Sequence, residues 1–421
     1  MNEFLKLNDT LKQADLKAMA LCEDVFKAID QNTLYNSWKV LSAFREFKVS
    51  ESHFSASTGY GYDDFGRDNL DRIVARVFGT EDALMRFTFE SGTTTITTGL
   101  FGVLRPNDKM LILTGEVYDT LQGVLGHNKK VDGSLTDFGV KIKVVPLKDD
   151  KPDTAAIKKE LKADNYKAVY IQRSRGYSLR PSLTVSEIDE LVDLTKSISP
   201  DTYVLLDNCY GEFVETKEPK ADLLMGSLIK NPGGGIAPCG GYLAGTKELI
   251  EKCAYRMTAP GVGREVGATL GHNRELYMGF FNGPTVTGEA LKTAVYASAL
   301  FEILGFTALP RYNEKRADII ESILLSTREN LIEFCKGIQF GAPVDSFVEP
   351  VPAPMPGYDD EVIMAAGAFT LGSSIELSAD APLREPYAAW MQGGINYHSA
   401  KTGVLLAVES MIKGGTLSQS I

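Results

Sequence analysis

The chain of 421 residues carries 44 lysines and arginines against 55 aspartates and glutamates, a net charge of −11. That acidic balance argues against a nucleic-acid partner or an anionic membrane surface, both of which select basic patches. With 44% hydrophobic and 24% charged residues there is ample material for a core and no reason for extended disorder.

The length favours two or three domains. Five cysteines show no C-x-x-C pair and four histidines no H-E-x-x-H pattern, so no metal site or disulfide framework is expected. Reduced thiols in a cytoplasmic protein are the simpler reading. The start, Met1 to Thr10, carries charges throughout and lacks the apolar stretch of a secretory signal.

From about 10 to 47, Leu11, Ala14, Ala18, Leu21, Val25 and Ile29 recur at helical steps and predict an amphipathic arm that needs covering. The segment Gly59-Tyr-Gly-Tyr-Asp-Asp-Phe-Gly-Arg67 reads as a loop. It also offers Tyr60, Tyr62 and Arg67 to a neighbouring subunit's phosphate.

Between 80 and 210 short apolar runs alternate with helical segments, from Ala83 to Phe87 and Lys109 to Leu113 through Val140 to Pro146 and Tyr166 to Ile171 to Thr202 to Asp207. This spacing predicts βαβ units and a mostly parallel sheet with helices on both faces. Gly240 to Gly245 reads as a further strand, and Gly288 to Leu304, Ala317 to Cys335 and Ala400 to Ile412 read as helices. Strands are expected around Phe347 and from Phe369 to Glu376, and Pro350 to Pro356 as a loop. The expected domains are an N-terminal arm over 1–55, a large domain over 56–305 and a smaller α+β domain over 306–421.

The chemistry concentrates at the ends of these strands. Lys230 stands after the largely apolar run from Ala221 and before Asn-Pro-Gly-Gly-Gly235. A partly desolvated amine there would have a lowered pKa and the nucleophilic form that a Schiff base needs. Asp207 closes the buried strand Thr202-Tyr-Val-Leu-Leu-Asp207. A lysine for an aldehyde carbon and an aspartate for a pyridine nitrogen suggest pyridoxal 5'-phosphate. Taken singly, Lys230 reads first as a surface lysine and Asp207 as a cap or turn residue, and only the constellation reverses that.

Glu90-Ser91-Gly92-Thr93-Thr94-Thr95, if it opens a helix, gives amides and hydroxyls for a phosphate; it also reads as an ordinary helix cap. Ser227, three residues before Lys230, is a second hydroxyl donor. The Ser-x-x-Lys spacing also occurs in serine β-lactamases, but their S-D-N and K-T-G companions are missing. Tyr118 follows an apolar strand and would stack on a pyridine ring, or serve as a core aromatic. Arg384, between Pro382 and Pro386, suits a substrate carboxylate or a surface pair with Glu385.

Together these residues resemble fold type I pyridoxal-phosphate enzymes of the cysteine and methionine metabolism group. More narrowly the chain is similar to the methionine gamma-lyase family proteins also called aluminium resistance proteins, in Ser57-Thr-Gly-Tyr-Gly-Tyr-Asp-Asp64, Ile171-Gln-Arg-Ser-Arg-Gly-Tyr177, Asp207-Asn-Cys-Tyr-Gly-Glu-Phe213, Ser227 to Gly235 and Arg384-Glu-Pro-Tyr387. The resemblance implies Lys230 as the cofactor-bearing lysine, Asp207 as the ring-nitrogen partner and Tyr118 as the stacking aromatic. It implies Ser91, Gly92, Thr93 and Ser227 around the phosphate, Arg384 on the substrate carboxylate, and Tyr60 or Tyr62 across a dimer interface.

Two departures stand out. Thr94 and Thr95 follow Ser-Gly-Thr where the family pattern has histidine and alanine, and Arg67 lies five residues beyond Tyr62 where the wider group spaces Tyr and Arg by two. The expected activity is β- or γ-elimination of a thiol from a cysteine- or methionine-like amino acid by a homodimer or homotetramer with shared sites. The alternatives are an aminotransferase or aldolase on the same fold, or a cofactor-binding protein with little turnover.

Overall fold

Short, nearly continuous apolar runs dictate a sheet buried on both faces, since each strand must cover two cores at once. The structure, a computed structural model, describes residues 5–355, 358 and 360–418. In chain order its first elements are α1 (Asp9–Glu46), α2 (Phe65–Phe78), β1 (Asp82–Arg86), α3 (Gly92–Val103), β2 (Lys109–Ile112), α4 (Asp119–Leu125) and β3 (Lys141–Val144). The short hairpin β4 (Leu147–Lys148) and β5 (Lys151–Pro152), α5 (Thr154–Ala163), β6 (Ala168–Gln172), α6 (Val185–Ile198), β7 (Tyr203–Asp207) and β8 (Leu223–Ser227) come next. Then follow β9 (Gly241–Gly245), α7 (Lys247–Met257) and α8 (Asn273–Ile303).

Seven strands order as β1-β9-β8-β7-β6-β2-β3. The pairs β2–β3, β2–β6, β6–β7 and β7–β8 are parallel, and β9 runs antiparallel to both β8 and β1. The mostly parallel sheet expected from the sequence is therefore present. Val169, Ile171, Val204, Leu206 and Leu224 face one core, with helices α2 and α6. Ala168, Tyr170, Leu205, Leu223 and Met225 face the other, with α3, α4 and α7. This alternation fixes the site, because Gln172, Asp207 and Ser227 continue the second set and emerge on one face at the carboxyl ends of three adjacent strands.

The chain divides into two units, Tyr35–Gly283 and Met1–Leu34 with Pro284–Ile421. The sequence reading set its boundaries at 55 and 305, where no helix is interrupted in its favour: α1 and α8 each run unbroken past the observed divisions. In the second unit Leu11, Ala14, Ala18 and Cys22 of α1 are buried with Val295, Leu300 and Phe301 of α8.

That unit holds a five-stranded antiparallel sheet in the order β10-β11-β14-β13-β12, from β10 (Thr307–Leu309), β11 (Glu321–Leu324), β12 (Val362–Ala365), β13 (Ser378–Pro382) and β14 (Ala388–Gln392). Helices α9 (Arg328–Phe340) and α10 (Tyr397–Lys413) pack with it in one core. Three expectations fail here. The helix expected over Ala317 to Cys335 is a strand and a later helix, because Arg316 pairs with Glu321 at 2.5 Å in the interior and Thr327 caps a fresh start by accepting from the Asn330 amide. Phe347 lies in a turn and is 84% exposed, and Phe369 to Glu376 is irregular, with strands on either side of it instead. The proline-rich stretch is loop except for a single bridge from Ala353 to Val362. Pro356, and the first four residues of the N-terminal segment, lie outside the described residues.

Among the described residues no helix is long and apolar enough to cross a membrane.

Candidate active site

Asp207 ends β7 and is 4% exposed. Its Oδ1 accepts from the Cys209 amide at 3.1 Å and its Oδ2 from the Tyr170 hydroxyl at 3.4 Å. Burial raises its carboxyl above the usual range, opposed by the Cys209 hydrogen bonds and by the positive charge of Lys230. The charge of the lysine thus acts on the carboxyl of the aspartate. A buried carboxyl of raised pKa is suited to share a proton with a ring nitrogen.

Ser227 ends β8 on the same face, fully buried, and its hydroxyl has no hydrogen-bond partner. Such a group costs about 1–3 kcal/mol of desolvation. It faces Gly92, where a Cβ would come within 3.0 Å of Ser227 Cβ and 3.8 Å of Cys209 Sγ. Gly92 opens α3, whose first-turn amides have no intrahelical acceptor and carry the positive end of the helix dipole. A buried orphan hydroxyl, a glycine that leaves the space beside it open and a helix N-terminus fit a phosphate, and no cation is needed. The threonine-rich α3 is a poor helix by propensity. It holds because Ile96, Leu100 and Val103 are buried, while Thr95, Thr97 and Thr98 satisfy their hydroxyls on backbone carbonyls four residues back without strengthening the helix.

Most of the hydroxyls expected for phosphate are therefore already engaged. Ser91 caps α3 through the Thr94 amide at 3.0 Å and also meets the Thr94 hydroxyl at 3.0 Å. Thr93 lies 3.4 Å from Thr120. Tyr118 begins α4, its amide held by Gln172 Oε1 at 3.0 Å, while Gln172 Nε2 donates to the Ser174 carbonyl at 2.9 Å. Burial first, and then the charge of Asp207, hold the Tyr118 phenol well above its usual range, against hydrogen bonds from Thr93 and Thr120. The aromatic expected to stack on a ring thus stands close to both Asp207 and Thr93.

Lys230 precedes a 3-10 turn, Asn231–Gly233, in which a Cβ on Gly233 would lie 1.6 Å from the Leu228 carbonyl oxygen. Only glycine permits that approach. The amine donates to Tyr210 Oη at 2.6 Å and stands 4.0 Å from the centre of the Tyr210 ring. Tyr210 had no assigned role in the sequence reading, and its left-handed backbone, at φ 69°, has no sequence signature in a tyrosine.

Beneath it, Glu212 is fully buried. Burial, followed by the charge of Glu218, pushes its carboxyl up to about 8. Its Oε1 accepts from Tyr242 at 2.8 Å.

Tyr60 and Tyr62 are 70% and 63% exposed and stack on each other at 5.4 Å. Arg67 is buried and donates to the Gly61 and Gly267 carbonyls at 2.8 and 2.9 Å, so it braces its own loop rather than reaching outward. In the other unit Arg384 sits between β13 and β14, where its guanidinium pairs with Asp360 at 2.8 Å and is half-exposed, rather than pairing with Glu385.

The sequence model of the family described as methionine gamma-lyase matches residues 11–412. An uncharacterized protein of Bacillus subtilis strain 168, YnbB, is 48% identical over 418 residues, covering 98% of this chain and 99% of that protein. A crystal structure described as a carbon–sulfur lyase involved in aluminum resistance, from Clostridium novyi NT, superposes with a TM-score of 0.94 at 50% identity, covering 98% of this chain and 99% of that one. A pyridoxal-5'-phosphate-dependent protein of Escherichia coli, YhfS, shares the fold with a TM-score of 0.60 at 14% identity, covering 91% of this chain and 97% of that one. The fold type I arrangement expected from the sequence is borne out by these likenesses.

Proposed function

The chain belongs to the methionine gamma-lyase family, an enzyme family, and on that premise we propose that it is a pyridoxal 5'-phosphate-dependent carbon–sulfur lyase. Its substrate would be a cysteine- or methionine-like amino acid, giving a thiol, ammonia and a 2-oxo acid with uptake of water. The observation that carries the reading is the buried, unpartnered Ser227 hydroxyl facing Gly92 at a helix N-terminus, on the strand-end face that also presents Asp207.

Ser227, Gly92 and Thr93 would hold the phosphate, with Ser91 shaping the helix start. Lys230 would carry the cofactor, Asp207 would keep a proton on the ring nitrogen, and Tyr118 would lie against the ring. When bound, the cofactor supplies an electron sink for the charge left on the substrate's Cα. Lys230 Nζ would take the Cα proton and pass it to the departing sulfur, which leaves as the thiol.

Arg384 would exchange Asp360 for the substrate carboxylate. An exposed pair of this kind contributes only about 0–1 kcal/mol, so little opposes the exchange. The protein is proposed to be a cytoplasmic homodimer or homotetramer in which Tyr60 and Tyr62 reach a neighbouring subunit's phosphate; their exposure in the single chain supports this.

The test is a panel of cystathionine, methionine, homocysteine and cysteine given to cofactor-loaded protein, with thiol and 2-oxo acid release followed together. Release of both in equal amounts supports the lyase. No thiol, with rapid amino transfer to 2-oxoglutarate, would replace it by the aminotransferase reading.

A further inference from the structure

We infer that Tyr210 is a positioning residue for Lys230, and that the turn from Asn208 to Phe213 is held in an unfavourable form in order to present it. The inference rests on Lys230 being the reactive amine proposed above.

The turn is costly. Tyr210 and Phe213 both adopt left-handed backbone, at φ 69° and 63°, a conformation that crowds the Cβ of any bulky residue. Three buried side chains enforce it. Asn231, next to the lysine, donates its amide to the Tyr210 carbonyl at 3.0 Å and the Glu212 carbonyl at 2.9 Å. Arg173 donates to Asn208 Oδ1 at 2.8 Å, and the Gly211 amide closes back on the Asn208 carbonyl at 3.0 Å. Gly211 lies so tightly on Arg173 that a Cβ would come within 2.4 Å of its Cδ. Strained backbone that its surroundings over-determine points to a side chain that must be delivered to one place.

The place is the lysine amine. The phenol oxygen accepts from Nζ at 2.6 Å and the ring face lies 4.0 Å from it. Both contacts favour the protonated amine, the hydrogen bond because it is charge-assisted and the ring because of its quadrupole. A phenylalanine would fill the same turn and keep the ring, so the hydroxyl is the part that packing does not explain. Asn231 ties the two functions together: the residue following the lysine fixes the backbone of the tyrosine that orients it.

The experiment uses the full-length chain without added cofactor. Trace acetylation of the amine is followed at Lys230 by peptide mass spectrometry across a pH series, for the parent and for Tyr210→Phe. The half-reaction pH is expected to fall by about one unit in the variant, the equivalent of losing one charge-assisted hydrogen bond. The rate near neutrality is then expected to rise up to about tenfold. In turnover of the loaded protein, kcat is expected to fall about tenfold or more with KM little changed, as for a group that acts on the base and not on substrate affinity.

Superimposable pH profiles of the parent and Tyr210→Phe would overturn the inference, even if thermal stability changed. Borohydride reduction with pyridoxal 5'-phosphate present separates the two readings. Label on another lysine defeats the proposed function; label on Lys230 with unaltered pH profiles defeats only the role of Tyr210.

Discussion

Ser227→Ala is expected to move two measurable quantities in opposite directions. The hydroxyl is fully buried and unpartnered, so its removal relieves a desolvation cost of about 1–3 kcal/mol in the cofactor-free chain. Alanine keeps the Cβ that Gly92 packs against, and no cavity larger than an oxygen is left. When a phosphate is present the same hydroxyl becomes a donor to a charged acceptor, worth about 1.5–3 kcal/mol, so its loss weakens binding roughly ten- to hundredfold. Urea unfolding of the cofactor-free protein gives the first quantity. Titration with pyridoxal 5'-phosphate gives the second, and pyridoxal without its phosphate serves as control. The variant is expected to show a higher urea midpoint, weaker binding of the phosphorylated ligand and unchanged binding of pyridoxal. A lower midpoint, or equal weakening of both ligands, would refute the reasoning that places phosphate against this serine.

Lys230→Ala is expected to abolish the borohydride-stable attachment of pyridoxal 5'-phosphate that peptide mapping finds at residue 230 in the parent. Glu212→Gln addresses the buried carboxyl raised to about 8, faced by Tyr242, Glu218 and Arg173. Because the folded state holds this proton far above the ordinary glutamate range near 4.5, the parent loses stability as pH rises from about 4.5 through 8, on the order of a few kcal/mol in all. The glutamine variant is expected to flatten that decline in urea midpoints; an unchanged slope would mean that the carboxyl is not the titrating group. Arg384→Ala is expected to raise KM about ten- to hundredfold, with Lys restoring little because it lacks the planar fork. Mixing inactive Lys230→Ala protein with an inactive Tyr60/Tyr62 double variant is expected to recover some activity through hybrid sites, and a fully active monomer in sedimentation would dispose of shared sites.

The legibility of the chain follows the range of the forces involved. A continuous apolar run is a local signal, so Thr202 to Asp207 reads as a buried strand with a carboxylate at its end, and the register then places Asp207 beside Gln172 of β6 and Met225 of β8. The segment from Ala317 to Cys335 was ambiguous because its isoleucines and leucines suit helix and strand alike. Its outcome depends on Arg316 finding Glu321 inside the core, which no spacing rule supplies. Arg67 illustrates the same limit. Its glycine- and tyrosine-rich loop offers it to a neighbouring subunit's phosphate, while two carbonyls, one of them at Gly267, hold it inside. Tyr210 was hidden for a related reason, since the clamp that bends its backbone comes from Asn231, on the far side of β8 in the chain.

The position of β9 bears on the order in which the protein can be made. Strand β1 leads directly into the helix start at Gly92, yet its one neighbour in the sheet is β9, with Asp82 opposite Gly245. A ribosome delivers β1 long before β9, so β1 has no partner strand until translation has passed Gly245. By then Lys230 has already emerged in sequence order. The edge of the sheet that leads into Gly92 is therefore completed only in chains that already carry Lys230.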